Sequence, residues 1–328
     1  MATVAHAGVN YSTRVDKVGR GPRVRSAVRA IVAVIIALIM LIPVFWMGMT
    51  AFKSRPDAVA APPKVLFTPT MEGFVSLLTQ RRQLSASEQS EFEARTDLGW
   101  MDQVALARGQ AIVGQSKFLG QLLNSILISS VSTFFSVALG MLSAYAFSRF
   151  NVPGKDDWLF FILSQRMLPA VVVTIPIFLM YREFGLYDTH FGMILLYTAF
   201  NLSFSVWLLK GFIDEIPKEY EEAALVDGYT RMQAFRKIVL PQSITGIAVA
   251  CVFSFIFSWN EYAFAVMLTS EVARTAPPSI PLVLGVGGIE WAAIAAGSLC
   301  FLIPVVIVTF ALRKHLLRGV TFGAIRKG

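Results

Sequence analysis

Two charged side chains stand alone in long apolar stretches of this sequence. Arg166 is the one charged residue between positions 158 and 181, and Glu261 is the one between 238 and 268. A charge in such surroundings is costly unless it faces protein or a water-filled cavity. Arg166 could bind an anionic or polyhydroxylated ligand. Glu261 could line the same path or hold neighbouring helices by a hydrogen bond, and the two residues could also form a buried ion pair.

The residues around Glu261 add aromatic and polar groups. Trp259, Asn260 and Tyr262 could stack on a sugar ring and hydrogen-bond to it, since pockets for such ligands combine aromatic walls with a few polar groups. Plain packing between helices is the alternative for each of them. We therefore predict a substrate pathway whose candidate residues are Arg166, Trp259, Asn260, Glu261 and Tyr262.

No residue set typical of catalysis or of a metal centre is present in the sequence. The three histidines are scattered, and Gly154-Lys155 lacks the upstream glycine and the hydroxyl residue of a phosphate-binding loop. Cys251 and Cys300 lie in apolar runs, where they serve as small apolar residues. We predict that the chain is not an enzyme, has no ATPase site, and binds no metal or cofactor by itself.

The elements that must position these residues are apolar runs. The chain has 328 residues, of which 55% are hydrophobic and 15% charged, whereas a soluble domain carries about 25% charged residues. A membrane crossing needs about 20 apolar residues. The runs predict an all-α membrane protein with six transmembrane helices, at about 29–51, 121–147, 158–181, 191–210, 243–268 and 291–312.

Basic residues flank these runs at both ends of the chain. Six of them precede the first run against one acid, Asp16, and five follow the last run with no acid. By the positive-inside rule both termini are predicted to be cytoplasmic, which agrees with an even number of spans, since such a number places both ends on one side. The positive charge beside membrane spans is not typical of nucleic-acid binding. We divide the chain into an N-terminal segment 1–27, a transmembrane domain 28–318 and a C-terminal tail 313–328.

A long segment of about 66–118 separates the first two spans and is predicted to be external. It becomes helical in pattern from Ser85, which forms a capping box with Glu88. It is either a solvated cap over the outer helix ends or a docking surface for an extracytoplasmic partner.

The segment 211–242 between spans four and five is charged and helical in pattern. Pro217 suits a first helical turn, the acids after it suit the positive helix N-terminus, and Gly228 can end the helix. Thr230 and Gln233 form a second capping box, and Pro241 marks a break before span five.

This helical hairpin suits insertion into a cleft of a neighbouring protein, with apolar contacts from Ala223, Phe235, Ile238 and Val239. The alternative is a helix that rests on lipid headgroups. That alternative expects a basic polar face, whereas the first helix here is acidic.

The spacing within this segment resembles a known signature. Glu222-Ala223-Ala224, Gly228 and Ile238-x-Leu240-Pro241 are similar to the EAA motif of bacterial ABC importer permeases. In that family the loop forms a coupling helix that enters a cleft on the ATPase subunit. The resemblance implies that the residues coupled to the ATPase are Glu221, Glu222, Ala223, Ala224, Asp227, Gly228 and Pro241.

Other segments resemble the carbohydrate-uptake group of these permeases, of the maltose-permease type. They include Ala144-Tyr145-Ala146-Phe147-Ser148-Arg149, Trp259-Asn260-Glu261-Tyr262 and the stretch from Arg318-Gly319 to Gly323-Ala324. Two features depart from the pattern. Residues of about 73–115 resemble an insertion, and Arg166 stands where an apolar residue or Met is expected.

The resemblance implies the type I ABC importer permease fold, located in the inner (plasma) membrane of a bacterium. It implies a second homologous permease, two ATPase subunits that carry ATP and Mg, an extracytoplasmic solute-binding protein and a sugar or sugar derivative as substrate. An ABC importer permease for another small polar solute, an ion-coupled secondary transporter and a non-transporting membrane subunit are the alternatives.

Overall fold

A computed structural model describes residues 21–285 and 288–322 of the chain, and almost all of them belong to or connect helices. Residues 1–20 of the predicted N-terminal segment and 323–328 of the predicted tail lie outside the described residues.

The first half of the chain contains one long helix, a segment of short elements and a second long helix. The elements are α1 (Gly21–Ala51), α2 (Arg55–Ala58), α3 (Glu72–Leu78), β1 (Thr79–Gln83), α4 (Ala86–Glu93), α5 (Trp100–Leu106), β2 (Gln110–Gln115) and α6 (Phe118–Arg149).

The second half begins with α7 (Lys155–Ser164), a 3-10 turn (Gln165–Met167), α8 (Ala170–Glu183), α9 (His190–Asp214) and α10 (Glu219–Val226). It continues with α11 (Arg231–Ala234), a π-helical turn (Phe235–Val239), α12 (Leu240–Gln242), α13 (Ile244–Trp259) and α14 (Ala263–Leu268). The last elements are α15 (Ala276–Ser279), a 3-10 turn (Ile280–Leu282), β3 (Leu284–Gly285), β4 (Gly288–Ile289) and α16 (Trp291–Phe322).

Within the described residues, four helices are long and apolar enough to cross a membrane as single elements. They are Ser26–Ala51, Phe118–Arg149, His190–Asp214 and Trp291–Lys314. Two bent helix pairs, Lys155–Met167 with Ala170–Glu183 at 94° and Arg231–Gln242 with Ile244–Trp259 at 73°, bring the number of candidate crossings to six if each pair is one span. All six apolar runs are therefore helical, and the prediction of an all-α membrane fold is confirmed.

Two of the predicted spans are interrupted, which the apolar pattern did not predict. The run 158–181 breaks at Leu168-Pro169, where Leu168 has an extended ψ of 123°. Proline lacks a donor and disfavours helical geometry at the residue before it. The run 243–268 breaks after Trp259 and resumes as α14 at Ala263.

The chain divides into two compact units, 1–46 and 47–328. In the first, the described part is the N-terminal portion of α1, which has no charged residue after Arg29. All further packing described below is within the second unit.

Helices α6, α9 and α13 pack together at the centre of the second unit, and small polar side chains line their contacts. The hydroxyls of Ser132 and Ser258 are 3.2 Å apart, and the Asn201 amide donates to Ser258 at 2.8 Å. A Cβ added to Gly140 would lie 2.6 Å from that of Ser205. Inside a membrane the hydrophobic effect does not drive helices together, and small residues at their interface allow the backbones to approach closely. The three helices thus form a tightly joined unit.

We use the name cap for residues 55–117. Its strands β1 and β2 pair antiparallel, and the two short helices α4 and α5 lie between them in the chain. The helix after Ser85 and its capping box with Glu88 are present, as predicted. The strands were not predicted, because the β1 sequence Thr-Gln-Arg-Arg-Gln has no apolar alternation.

Buried ion pairs connect the cap to the start of α16. Glu290 is 1% exposed and accepts from both terminal nitrogens of Arg108, at 3.2 and 3.3 Å. Arg55 lies 3.6 Å from the same carboxylate, and its backbone N–H donates to Glu72. Glu290 is therefore paired with two arginines of the cap.

Asp188 holds a second connection, between the α8–α9 turn and the segment after α14. Its carboxylate accepts from the backbone N–H groups of residues 270 to 273 and from the Ser270 hydroxyl, all at 2.9 to 3.0 Å. Nearby, Lys117 at the start of α6 pairs with Glu271 at 2.8 Å. The cap thus lies at one end of α6, and Arg149 marks the other end.

Candidate functional site

We use the name 219–242 hairpin for the segment from α10 to α12. Helix α10 ends at Val226, Gly228 takes a φ of +86°, and Thr230 and Gln233 form the capping box that starts α11. The predicted helix, glycine turn and second helix are therefore present. The structure corrects one detail, because Pro217 precedes α10 and does not lie in its first turn.

Glu221 attaches the hairpin to the body of the protein. It is 6% exposed, and its carboxylate accepts from the Tyr145 hydroxyl at 2.9 Å and from Nε of Arg149. Arg149 also donates to the carbonyls of Ile213 and Ile216, at 3.1 and 2.8 Å. One buried ion pair thus joins α10 to the ends of α6 and α9. The Glu221 side chain is not presented at the surface, contrary to the resemblance.

The second half of the hairpin is attached by apolar packing. Phe235 and Val239 are buried in a cluster with Tyr145, Leu209 and Ile213. The expectation that Phe235 and Val239 contact a neighbouring protein is therefore wrong, because both fill the core of their own chain. The π-helical turn that contains them was not predicted.

The opposite side of α10 is open. Glu222, Ala223, Asp227, Gly228 and Pro241 are exposed, whereas Ala224 is 5% exposed and packs inward. Exposed large apolar side chains of the hairpin that the sequence did not single out are Tyr220 at 55% and Val226 at 88% exposure on α10, and Met232 at 54% on α11. The three-residue spacing of positions 220, 223 and 226 was the signal that could have identified this face.

A second candidate site lies at the break in the third crossing. A cavity of about 290 Å³ opens there, next to the Leu168-Pro169 bend. Residues from both sides of the break and from α9 line it: Gln165, Arg166, Leu168, Val173, Pro176, Ile177, Ala199, Phe200 and Ser203.

Arg166 is the charged residue of this cavity. Its guanidinium carbon lies 4.3 Å from the ring centroid of Phe257 and 5.3 Å from that of Phe204, which is cation–π distance. Its Nη1 is buried without a hydrogen-bond partner among the described residues. The arginine therefore has aromatic support and an unsatisfied donor.

Glu261 is engaged elsewhere. Its carboxylate accepts from the Tyr197 hydroxyl and the Phe264 N–H at 2.9 Å, and from the Ala265 N–H at 3.0 Å. It thus caps the N-terminus of α14 and joins it to α9. The buried Arg166–Glu261 pair that the sequence left open is not formed.

The neighbours of Glu261 do not line the cavity either. Trp259 is 1% exposed, stacks between Phe255 and Phe301, and donates to the Phe301 carbonyl at 3.2 Å. Asn260 donates to the Ile256 carbonyl, and Tyr262 is half exposed. Of the five pathway candidates, the structure places Arg166 at the cavity. In residues 21–285 and 288–322 no three His, Cys, Asp or Glu side chains are grouped as metal ligands.

Known proteins share this architecture. The sequence model of one protein family, the binding-protein-dependent transport system inner membrane component, matches residues 112–322. This range begins inside β2 and leaves most of the cap outside. The trehalose transport system permease protein SugB of Mycobacterium tuberculosis is 36% identical over 212 residues, which are 64% of this chain and 77% of that protein.

Longer alignments point the same way. The trehalose/maltose transport system permease protein MalG of Thermococcus litoralis is 29% identical over 90% of this chain and 94% of its own length. A crystal structure of a bacterial ABC transporter involved in the import of the acidic polysaccharide alginate has a similar fold, with a TM-score of 0.62 at 20% identity, over 90% of this chain and 98% of that one. The chain described here belongs to the family of inner membrane components of binding-protein-dependent transport systems.

Proposed function

We propose that this chain is one permease subunit of an ATP-driven importer for a sugar or sugar derivative. The names of its relatives support the substrate class, since they include trehalose and trehalose/maltose transport permeases. The observation that carries the proposal is the 219–242 hairpin, whose inner side is fixed by Glu221 while its outer side presents Glu222, Ala223 and Val226.

The partners of the subunit are a second homologous permease, two ATPase subunits and an extracytoplasmic solute-binding protein. ATP and Mg are bound by the ATPase subunits, since this sequence has no phosphate-binding loop. The hairpin and both termini are on the cytoplasmic side and the cap is on the outer side, as the basic residues at both ends of the chain favour.

The contacts define how motion of an ATPase would reach the cavity. A displacement of α10 acts on Glu221, and through Arg149 on the C-terminal ends of α6 and α9. Helix α9 also carries Ala199, Phe200 and Ser203, which line the cavity. Because packed helices move as rigid units, tilting them would change access to the cavity by shear between helices.

In this scheme Glu222, Ala223, Asp227 and Val226 contact the ATPase, and Gly228 sets the turn. Glu221, Ala224 and Pro241 position the hairpin. Arg166 lies on the substrate pathway. Trp259, Asn260, Glu261 and Tyr262 shape the neighbouring helices and do not contact the substrate in the cavity.

Site-directed crosslinking tests the contact with the ATPase. Cys251 and Cys300 are replaced by alanine, and single cysteines are introduced by Val226→Cys on the hairpin and Val113→Cys on the cap, where Val113 is 58% exposed. In the intact complex, a thiol-reactive crosslinker should capture an ATPase subunit from position 226 and not from position 113. If neither position, or both, captured the ATPase, the assignment would fail.

An ion-coupled transporter is the alternative that this experiment also addresses. ATP-driven uptake into proteoliposomes should require the ATPase subunits and stop with vanadate. Uptake by the permease alone, driven by an ion gradient, would contradict the proposed function.

A further inference from the structure

We infer that Arg166 selects a substrate that carries an anionic oxygen group, such as the carboxylate of an acidic sugar or the phosphate of a sugar ester. This inference rests on the proposed function, because it names the class of sugar derivative that crosses through the same cavity. It is carried by the guanidinium at the broken third crossing and by the groups around it.

The guanidinium is held in place but not neutralised. The rings of Phe257 and Phe204 lie at cation–π distance from the guanidinium carbon and stabilise its charge without supplying a hydrogen-bond acceptor. Nη1 is buried with no acceptor among the described residues. A buried charged donor without an acceptor is strongly unfavourable, and a bidentate anion is the group that satisfies a guanidinium edge best.

Within residues 21–285 and 288–322, no acidic side chain forms an ion pair with Arg166. No Asp or Glu is among the residues that line the cavity. Glu261, the other charged residue isolated in an apolar run, is already occupied by Tyr197 and by two backbone N–H groups. An acidic partner for Arg166 would therefore come from outside the described part of the chain.

The helix break adds a second attraction for anions. Helix α8 has 14 residues and begins at Ala170, next to the cavity-lining Leu168, with no side-chain cap at Pro169. The N-terminus of such a helix carries a partial positive charge, and broken helices of transporters direct it at anionic groups of the substrate. Arg166 precedes the break and the N-terminus of α8 follows it, so the two positive groups flank the Leu168-Pro169 bend.

The cavity has the dimensions of a small ligand. Its volume of about 290 Å³ is at the lower end for ligand pockets, which span about 300–1,000 Å³. Gln165 and Ser203 add neutral groups that can hydrogen-bond to hydroxyls, and Val173 and Ile177 add apolar wall. One anionic group on a hydroxylated ring fits this set better than a neutral sugar, whose hydroxyls can accept from Arg166 but bring no counter-charge.

The test compares charged and neutral probes on the intact complex of both permeases and the ATPase subunits in nanodiscs. Equilibrium binding of glucuronate, glucose 6-phosphate and glucose is measured without the solute-binding protein. The variants are Arg166→Met and Arg166→Lys, and the matched control is Arg182→Met, an exposed arginine of α8 that also lies over a phenylalanine, Phe178.

We expect the unmodified complex to bind at least one of the two anionic probes at least about tenfold more tightly than it binds glucose. Arg166→Met should abolish that preference, Arg166→Lys should retain part of it because the charge remains, and Arg182→Met should have no effect. The relative affinities of glucuronate and glucose 6-phosphate then show whether the site prefers a carboxylate or a phosphate.

Three results would overturn the inference. One is the absence of any preference for an anionic probe over glucose, and another is a preference that persists in Arg166→Met. The third is dissociation of the Arg166→Met complex during size-exclusion chromatography, which would show that the arginine pairs with an acid of the partner permease. Failure of the proposed function is distinct, since it appears as absent ATPase crosslinking or ATP-independent uptake, whatever the charge preference.

Discussion

The charged residues near the two ends of α6 differ in how far they are paired within the chain. At the cap end, Glu290 is enclosed by Arg108 and Arg55, and Asp188 accepts a full set of hydrogen bonds from one loop. At the hairpin end, of two adjacent acids, Glu221 is buried in an ion pair and Glu222 is exposed. The cap end is therefore closed upon itself. The hairpin end is half attached and half open, as expected if the hairpin transmits force from a partner subunit as we propose.

The largest effect in this comparison should come from Glu221→Ala. The substitution leaves Arg149 buried with only neutral acceptors, and breaking a buried ion pair from one side typically costs about 3–5 kcal/mol. We expect a marked fall in the thermal stability of the permease and loss of uptake. Both are measured on the purified complex, by differential scanning fluorimetry and by proteoliposome transport.

Two matched variants separate attachment from contact. Glu222→Ala removes the exposed neighbour, so stability should not change while uptake per ATP hydrolysed falls. Tyr145→Phe removes one hydrogen bond to Glu221 and keeps the ion pair, at a cost of about 1 kcal/mol. Equal destabilisation by Glu221→Ala and Glu222→Ala would show that the buried pair does not attach the hairpin.

The second effect concerns the turn of the hairpin. Gly228 has a φ of +86°, and a Cβ added to it would meet no atom within 4 Å. Gly228→Ala therefore introduces backbone strain without a clash, of about 1–2 kcal/mol. ATP hydrolysis should continue while uptake falls, because the shape of the hairpin changes and the body of the protein does not.

Gly211→Ala is the control for that substitution. Gly211 lies within α9, and its added Cβ would also meet nothing within 4 Å, but its φ is not positive. Alanine is favoured over glycine in a helix, so this variant should be neutral or slightly more stable. A loss of coupling in both variants would contradict a specific role for the turn.

The hairpin also shows how far sequence patterns reach. The acids before Gly228, the glycine and the second capping box predicted its helices and turn, because those signals are local. Which of two adjacent glutamates is buried depends on Tyr145 and Arg149, about 75 positions earlier in the chain, and no local pattern contains that information.

The same limit applies to the candidate pathway. Isolation in an apolar run identified both Arg166 and Glu261 as unusual, but it could not tell a helix-capping acid from an arginine at a cavity. Pro169 could have indicated the bend, but apolar residues continue on both sides of it, so the apolar pattern predicted one uninterrupted span. The polar strands of the cap were missed because their pairing, not their composition, makes them strands.

A third prediction concerns the cap end and its dependence on pH. Burial alone would raise the pKa of the Asp188 carboxyl, but the backbone N–H groups that donate to it outweigh burial and lower its pKa below the ordinary value. A lowered pKa in the folded protein means stability that is present above the ordinary value, near pH 4, and is lost as the pH falls below it.

Asp188→Asn should remove that dependence. The protection of the 270–273 amides, that is, their exchange rate relative to an unprotected amide at the same pH, should be high near neutral pH in the unmodified protein and fall in acid, whereas in the variant it should be lower at neutral pH and less sensitive to acid. Because the variant lacks only this carboxylate, it controls for every other titrating group. An unchanged pH profile would show that Asp188 does not hold the loop. Since this carboxylate is partly open to water, we expect a smaller effect than for Glu221→Ala.

The smallest expected effects give the most direct comparison of the cap and the hairpin, because a capping box occurs in both. Ser85 with Glu88 in the cap and Thr230 with Gln233 in the hairpin each form a capping box. Replacing the capping residue by alanine typically costs about 1 kcal/mol. Ser85→Ala and Thr230→Ala should therefore lower local helix stability by similar amounts, which hydrogen exchange over α4 and α11 would measure.

Their effects on transport should differ. If the hairpin transmits force and the cap does not, Thr230→Ala should reduce uptake per ATP hydrolysed, and Ser85→Ala should leave that ratio unchanged. The two substitutions are chemically similar and should cost similar local stability. A difference in uptake per ATP hydrolysed would therefore reflect the roles of the hairpin and the cap and not the severity of either mutation. Equal losses of uptake would mean that the cap shares in the transport cycle and that its closed network of charges is part of the moving machinery.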